Sequence, residues 1–162
     1  MKIQSESSPE SQDLVREFLS SHYSGILATA DSASNPHAAV VYYTLESDLR
    51  VTFGTKTETQ KFKNIQENDQ VAFVVFDEKK QTTVQVFGRA KVIEDHAERQ
   101  KVINNIFTSS AEISMTVNPP AEKLYAGDYV AVRIVPQVIK MAIYARPDSE
   151  GDDIFETLLF SE

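Results

Sequence analysis

The chain has 162 residues, of which 41% are hydrophobic and 25% are charged. This length and balance predict one globular domain over residues 1–162 and argue against a disordered chain. The formal net charge of −8 argues against binding to nucleic acid or to an anionic membrane surface, because proteins that bind polyanions are normally basic. The sequence contains no cysteine, which excludes disulfides, thiol catalysis and cysteine-held metal or iron–sulfur sites.

The ends of the chain are polar. Residues 1–9 include no apolar run that resembles a signal peptide, and no stretch of 18 apolar residues occurs in the sequence. We therefore expect a cytoplasmic protein without a membrane partner. Residues 1–9 are expected to be flexible, and 147–162 form an acidic tail with six acids and no base.

The first predicted element is a helix that starts at Pro9, after the capping residue Ser8, and ends near residue 20. From Gly25 the sequence changes to short runs rich in β-branched and aromatic residues, separated by polar turns. These runs predict seven strands, at 24–30, 37–46, 49–54, 70–77, 82–93, 128–135 and 138–145. Short turns predict that the first three form an antiparallel meander and that the next two form a hairpin. Seven strands in one domain favour a barrel or a sandwich.

Two short amphipathic helices are predicted between the strands, at 57–67 and 95–107. Asp95 is expected to cap the second of them. Residues 108–127 are predicted to be a long connection with one helical turn at 121–125. The stretch 154–160 fits either a last strand or a docking tail.

Positive charge is concentrated in one segment. Residues 50–63 carry four bases and one acid, whereas residues 1–49 carry two bases and seven acids. The positive segment consists of a strand, Gly54, a threonine-rich loop and the start of a helix. A helix N-terminus offers unpaired N–H groups, and nearby hydroxyls and lysines add donors, so the segment predicts a phosphate cradle. The alternative is a capping box in which Thr57 and Gln60 satisfy the helix end and the lysines are merely solvated. The segment lacks the glycine and lysine order of a nucleotide P-loop.

Other constellations give weaker signals. The three histidines, His22, His37 and His96, are far apart and have no metal-ligand spacing, so no metal site is predicted. No serine lies in a nucleophile-elbow motif. Tyr42 and Tyr43 are consecutive on a strand and are expected to point to opposite faces of the sheet.

Five short motifs occur in a familiar order. They are Ile26-Leu27-Ala28-Thr29-Ala30, Asn35-Pro36-His37 followed by a Val-Tyr strand, Val51-Thr52-Phe53-Gly54-Thr55, the segment 64–72, and the strand 84–92. In this co-linear order the chain resembles the pyridoxamine 5′-phosphate oxidase-like family of FMN-binding split β-barrels. The resemblance covers roughly residues 10–145.

The resemblance implies a mainly β fold: a six-stranded antiparallel split barrel with a few short helices. It also implies a homodimer with FMN bound between the subunits, and a small-molecule substrate or reductant. The implied cofactor-binding residues are Val40, Val41 and Tyr42 along the flavin, Thr55, Thr59, Gln60 and Lys61 at the phosphate with Lys56 adding charge, and Thr83 or Gln85 reaching the ring.

The chain departs from the family pattern at positions that matter for function. The full oxidases usually have arginine where this chain has Ala39 and Gln60, and neither residue replaces a charged bidentate fork. Tryptophan is absent and the C-terminal segment is acidic, which argues against vitamin B6 oxidation. The expected function is therefore that of a general FMN-dependent oxidoreductase of unknown substrate, with His37 and Tyr42 as candidate acid or base.

A second hypothesis belongs to a different class. The same barrel could be a non-catalytic binding module whose phosphate site has decayed at Ala39 and Gln60, acting as a carrier or in a stress response. Deazaflavin is an alternative ligand for it. Haem is less expected, because no histidine has a clear ligand setting.

Overall fold

The computed structural model describes residues 2–3, 8–113, 129–145 and 155–161. The elements in these ranges are β1 (Lys2–Ile3), α1 (Pro9–Ser20), β2 (Ser24–Ala30), β3 (Pro36–Leu45), β4 (Val51–Lys56), α2 (Gln60–Glu67), β5 (Gln70–Asp77), β6 (Thr82–Val92), α3 (His96–Ile113), β7 (Tyr129–Ile143) and β8 (Phe155–Ser161).

Six strands close into a barrel. The order β7-β4-β3-β2-β5-β6 is completed by pairing of β6 with β7, and every neighbouring pair is antiparallel. Outside the barrel, β8 pairs with β7 and β1 pairs with β8. The architecture confirms the predicted six-stranded antiparallel split barrel.

The barrel interior is the main hydrophobic core. Strand residues alternate between the two faces, so along β3 the side chains of Val41 and Tyr43 are buried while Val40 faces outward. The apolar faces of α1 and α2 join the same core through Phe18 and Phe62. A smaller cluster lies outside the barrel, where α3 packs on the outer face of β3, β4 and β7.

Most predicted elements are confirmed. Helix α1 begins after Ser8, whose Oγ accepts the Ser11 N–H at 3.0 Å. The meander β2–β3–β4 and the hairpin β5–β6 both form. Asp95 caps α3 by accepting the Glu98 N–H at 2.7 Å. The segment 155–161 is a strand, which decides between the two alternatives for the end of the chain.

Four predictions about the elements were wrong. Helix α2 begins at Gln60 and not at residue 57. The two strands predicted at 128–135 and 138–145 are one strand, β7, because a register shift opposite Phe87 and Gly88 accommodates Pro136 within the ladder. Residues 108–113 continue α3 and are not part of a connection. Strand β1 was missed, since two residues carry no periodic pattern. The helical turn predicted at 121–125 lies outside the described residues, as do residues 1, 4–7 and 146–154.

None of the helices in the described ranges is long and apolar enough to span a membrane.

Candidate functional site

The barrel is open along one edge, between β3 and β4. Strand β3 pairs with β2 from Pro36 to Tyr42, but it pairs with β4 only from Tyr43 to Leu45. The second half of β4 pairs with β7 on its other side. In the part of the chain that the structure describes, the backbone of the first half of β3 therefore has no strand partner on its β4 side. We call this gap the β3–β4 opening.

The N-terminus of α2 lies beside the last residues of β4. Its N-cap residue, Thr59, makes no side-chain cap: its Oγ1 lies 2.8 Å from the Lys56 carbonyl oxygen, to which it donates, and 3.0 Å from Thr55 Oγ1. The backbone N–H groups of Gln60 and Lys61 have no acceptor among the described residues. These two N–H groups and the Thr55–Thr59 hydroxyl pair form what we call the α2 cradle.

The capping box considered as the alternative does not form. Thr57 lies two residues before the actual N-cap, and Gln60 donates from Nε2 to Asn64 Oδ1 at 2.7 Å instead of reaching back to the helix end. The helix end is thus left with free donors. An anion placed there would satisfy these donors and would also be favoured by the helix dipole.

The lysines near the cradle have different surroundings. Lys61 is half-buried, and burial lowers the pKa of its ammonium group. A partly desolvated cation interacts more strongly with an anion than a solvated one does. The Nζ of Lys56 lies 5.7 Å from the centre of the Tyr129 ring, a cation–π geometry. Lys63 is exposed.

Polar groups continue from the cradle to the start of β3. Asn64 is buried on α2 and donates from Nδ2 to Thr29 Oγ1 at 3.1 Å. Thr29 is the register partner of His37. The Nδ1 atom of His37 is buried and has no hydrogen-bond partner among the described residues.

The strand that was expected to follow the flavin offers its backbone. Val41 is only 4% exposed and packs in the core, so its side chain cannot contact a ligand. The Tyr43 side chain points inward and the Tyr42 side chain outward, as predicted. Tyr42 stacks on Tyr23 with ring centroids 5.9 Å apart, and it packs against the cluster under α3.

The structure does not bring Thr83 to the other predicted site residues. Thr83 lies on β6, opposite Phe76 of β5, and three strand spacings separate β6 from β3, roughly 14 Å. The outer face across β3, β2, β5 and β6 carries large apolar side chains that are exposed. Its large side chains are Ile26, Val40, Phe76 and Phe87, which are 50%, 65%, 59% and 38% exposed. We call these four residues the outer apolar patch.

A polar cleft of about 670 Å³ lies between α3 and the β3–β4 hairpin, at the end of β3 farthest from the cradle. Arg133 joins the two walls by donating to Glu46 at 2.7 Å and to Glu98 at 2.6 Å. The hydroxyls of Thr44 and Thr52 lie 2.7 Å apart in the lining, which also includes Lys101. Sequence reasoning missed this cleft, because its residues come from distant strands and a helix and share no local motif.

The remaining histidines lie apart from the cradle. His22 has Nδ1 2.7 Å from the Phe18 carbonyl oxygen and Nε2 3.3 Å from Asp77. His96 is the exposed first residue of α3. No group of three potential metal-ligating side chains occurs in the ranges that the structure describes.

The sequence profile of the pyridoxamine 5′-phosphate oxidase family matches residues 11–141, so the chain belongs to this family. No curated protein matches the chain significantly. Among solved structures, a conserved hypothetical protein from Mycobacterium tuberculosis is 19% identical with a TM-score of 0.68, and the match covers 94% of this chain and 99% of that one. General Stress Protein 26 from Bacillus anthracis is 18% identical with a TM-score of 0.62, covering 83% of this chain and 94% of that one.

A third similar structure is PhzG from Burkholderia lata, in complex with tetrahydrophenazine-1-carboxylic acid. It is 16% identical with a TM-score of 0.61, and the match covers 96% of this chain and 97% of that one. At these identities the three structures establish the fold that the chain shares with them.

Proposed function

We propose that this member of the pyridoxamine 5′-phosphate oxidase family binds FMN in the β3–β4 opening and acts as an oxidoreductase. The observation that carries the proposal is the α2 cradle: an uncapped helix N-terminus beside two threonine hydroxyls and the half-buried Lys61. Backbone N–H groups at a helix start and a nearby cation are the donors that a phosphate group prefers.

The residues present also fit the rest of the cofactor. From the cradle, the unpaired edge of β3 offers the backbone groups of Val40 and Tyr42 to the polar edge of a flavin ring, whereas the intervening Val41 directs its own backbone groups to β2. When bound, FMN would supply hydride exchange at its N5 atom. The protein's own part is to hold the phosphate and to orient the ring along β3.

The polar cleft is the proposed place for the substrate. Its lining includes Thr52 of β4, three residues and roughly 10 Å before Thr55 of the cradle, so cradle and cleft lie at successive positions along the same strand. Lys101 supplies a cation, and the Thr44 and Thr52 hydroxyls supply hydrogen bonds. The carboxylates of Glu46 and Glu98 in the lining are bound to Arg133, so Lys101 would attract a small polar molecule with an acidic group. The similar protein PhzG was solved with a small carboxylic acid.

We further propose that two copies of the chain pack together through the outer apolar patch. Such a patch is typical of a homodimer interface, in which apolar residues replace charged ones at the centre. Thr83 borders the patch but lies too far from β3 to reach the opening of its own chain. It can therefore contact a flavin only in another copy.

The test of the cofactor site is the dissociation constant of FMN, followed by quenching of flavin fluorescence, for the wild type, Lys61→Ala and Lys63→Ala. Loss of a charged hydrogen bond should raise the constant about tenfold or more in Lys61→Ala. Lys63→Ala is the matched control, since it removes an equal charge two residues away from an exposed position. Both variants should keep the circular dichroism of the wild type.

Equal constants for the two lysine variants would contradict the assignment of the cradle. One observation favours the non-catalytic alternative: the Gln60 amide is bound to Asn64, so no side chain at position 60 reaches an anion at the cradle. If the wild type takes up no FMN at millimolar concentration, the binding-module hypothesis replaces the oxidoreductase and deazaflavin is the next ligand to titrate. FMN uptake with reduction by NADH or NADPH supports the oxidoreductase.

A further inference from the structure

We propose that His37 supplies to the cofactor phosphate the positive charge that Ala39 and Gln60 do not, so that FMN affinity depends on the protonation of one imidazole. This inference rests on the proposed function. His37 was expected only as a candidate acid or base, and the proposal gives it a binding role.

The position of His37 follows from the register of β3. His37 is paired with Thr29, and paired residues of neighbouring strands point to the same face, so its side chain shares the face on which Thr29 accepts a hydrogen bond from Asn64 of α2. Ala39 is two residues further along β3 and therefore points the same way. His37 thus shares a face with Ala39 and lies beside α2, the helix that carries Gln60.

The side chain of His37 has unused hydrogen-bonding capacity. Its Nδ1 atom is buried without a partner among the described residues, and buried polar atoms are rarely left so because the lost hydration is not replaced. The neighbouring groups cannot serve a phosphate as well: Ala39 has no polar side-chain atom, and the Gln60 amide is bound to Asn64. A protonated imidazole donates from both nitrogens and adds a full charge.

Charged groups face this region from two packed elements. In the β2–β3 turn, Asp31 accepts hydrogen bonds from Ala33 and from Asn35, whose side-chain amide is the main cause of its lowered pKa. On α2, Glu67 is bound to Ser32 and Lys61 is half-buried. In the described structure neither carboxylate pairs with His37.

The charge balance at His37 therefore changes when phosphate arrives. A bound phosphate dianion favours protonation, so proton binding and cofactor binding strengthen each other. The affinity contributed by His37 should be largest at low pH and should disappear as the imidazole loses its proton.

The experiment measures the FMN dissociation constant of the full chain from pH 6 to pH 8.5, for the wild type and His37→Gln. The ratio of the two constants is the readout, because the phosphate of FMN also titrates near pH 6 and this effect cancels in the ratio. We expect the variant to bind about tenfold more weakly at pH 6 and nearly equally at pH 8.5. Riboflavin, which lacks the phosphate, should give a ratio close to one at every pH.

A ratio that does not change with pH, or an equal effect on riboflavin, would overturn the role of His37 while leaving FMN binding in place. Failure of both proteins to bind FMN at any pH would instead refute the proposed function and this inference with it. If His37→Gln loses its circular dichroism spectrum, nuclear magnetic resonance of the wild-type imidazole decides. FMN should raise its titration midpoint, and an unchanged midpoint would contradict the proposal.

Discussion

A charge at the outer apolar patch should separate the proposed dimer. Phe76 is 59% exposed on β5, two strands from β3, so Phe76→Glu does not touch the proposed cofactor site of its own chain. Full burial of a phenylalanine side chain is favourable by about 1.5–3 kcal/mol, so covering the exposed part of Phe76 contributes about 1–2 kcal/mol per copy to the free energy of dimerisation. A twofold dimer contains the residue twice, which gives about 2–4 kcal/mol.

The introduced carboxylate adds a desolvation cost of several kcal/mol if it is buried without a partner. We therefore expect the dimer dissociation constant to rise at least about 100-fold in Phe76→Glu. Sedimentation velocity over a concentration series measures it. Phe155→Glu is the matched control, because Phe155 is 56% exposed but lies on β8, outside the patch. A monomeric wild type, or a Phe76→Glu protein that dimerises as well as the control, would refute the assignment of the patch.

Two further predictions concern stability. Tyr43→Phe should lower the free energy of unfolding, measured in urea, by about 1 kcal/mol, because the buried hydroxyl donates to the Leu19 carbonyl at 2.6 Å and fixes α1 to the barrel. Tyr144 is exposed, so Tyr144→Phe should cause no change. Equal stability of the two variants would contradict this role of Tyr43. Hydrogen bonds from the Lys80 and Lys79 backbone N–H groups, together with His22, lower the pKa of Asp77 in the folded state. The charged carboxylate therefore stabilises the folded protein at pH values above its unfolded pKa, which is near 4. This stabilisation is lost as the pH falls through the folded pKa. Asp77→Asn should therefore be less stable than the wild type at pH 7 and equally stable at pH 2 to 3, whereas a difference that persists in acid would point to geometry instead of charge.

The strands and α1 could be predicted because their signals are local. Alternating apolar residues in β2 to β6 match a sheet with one buried face, and Ser8-Pro9 marks a helix start in almost any context. Local sequence signals gave wrong element boundaries where contacts between distant segments determine where a strand ends. Pro136 resembles a strand end, yet the extra residue opposite Gly88 lets β7 continue through it.

The candidate site shows the same division. The positive segment around α2 was visible as a run of lysines and threonines, so the cradle could be predicted. The residue at which the helix begins could not be predicted, because Thr57 and Thr59 are equally good N-cap residues. In the structure Thr59 is the N-cap, and its hydroxyl pairs with that of Thr55 across the loop. The unpartnered nitrogen of His37 and the walls of the polar cleft depend on strand register and on contacts between distant segments.

The opening and the cradle have a common structural cause. All of β4 pairs with β7, but β3 pairs with β4 only from Tyr43 to Leu45 and elsewhere with β2 alone, so the two strands part along the first half of β3. Helix α2 closes that gap by burying Phe62 and Ile65 in the core. To do so it must begin next to the unpaired edge of β3, which leaves its N-terminal N–H groups at the opening. Core packing and the proposed ligand binding therefore fall on neighbouring residues of one helix: Phe62 is buried in the core, and we expect that Lys61 can be replaced without unfolding the domain.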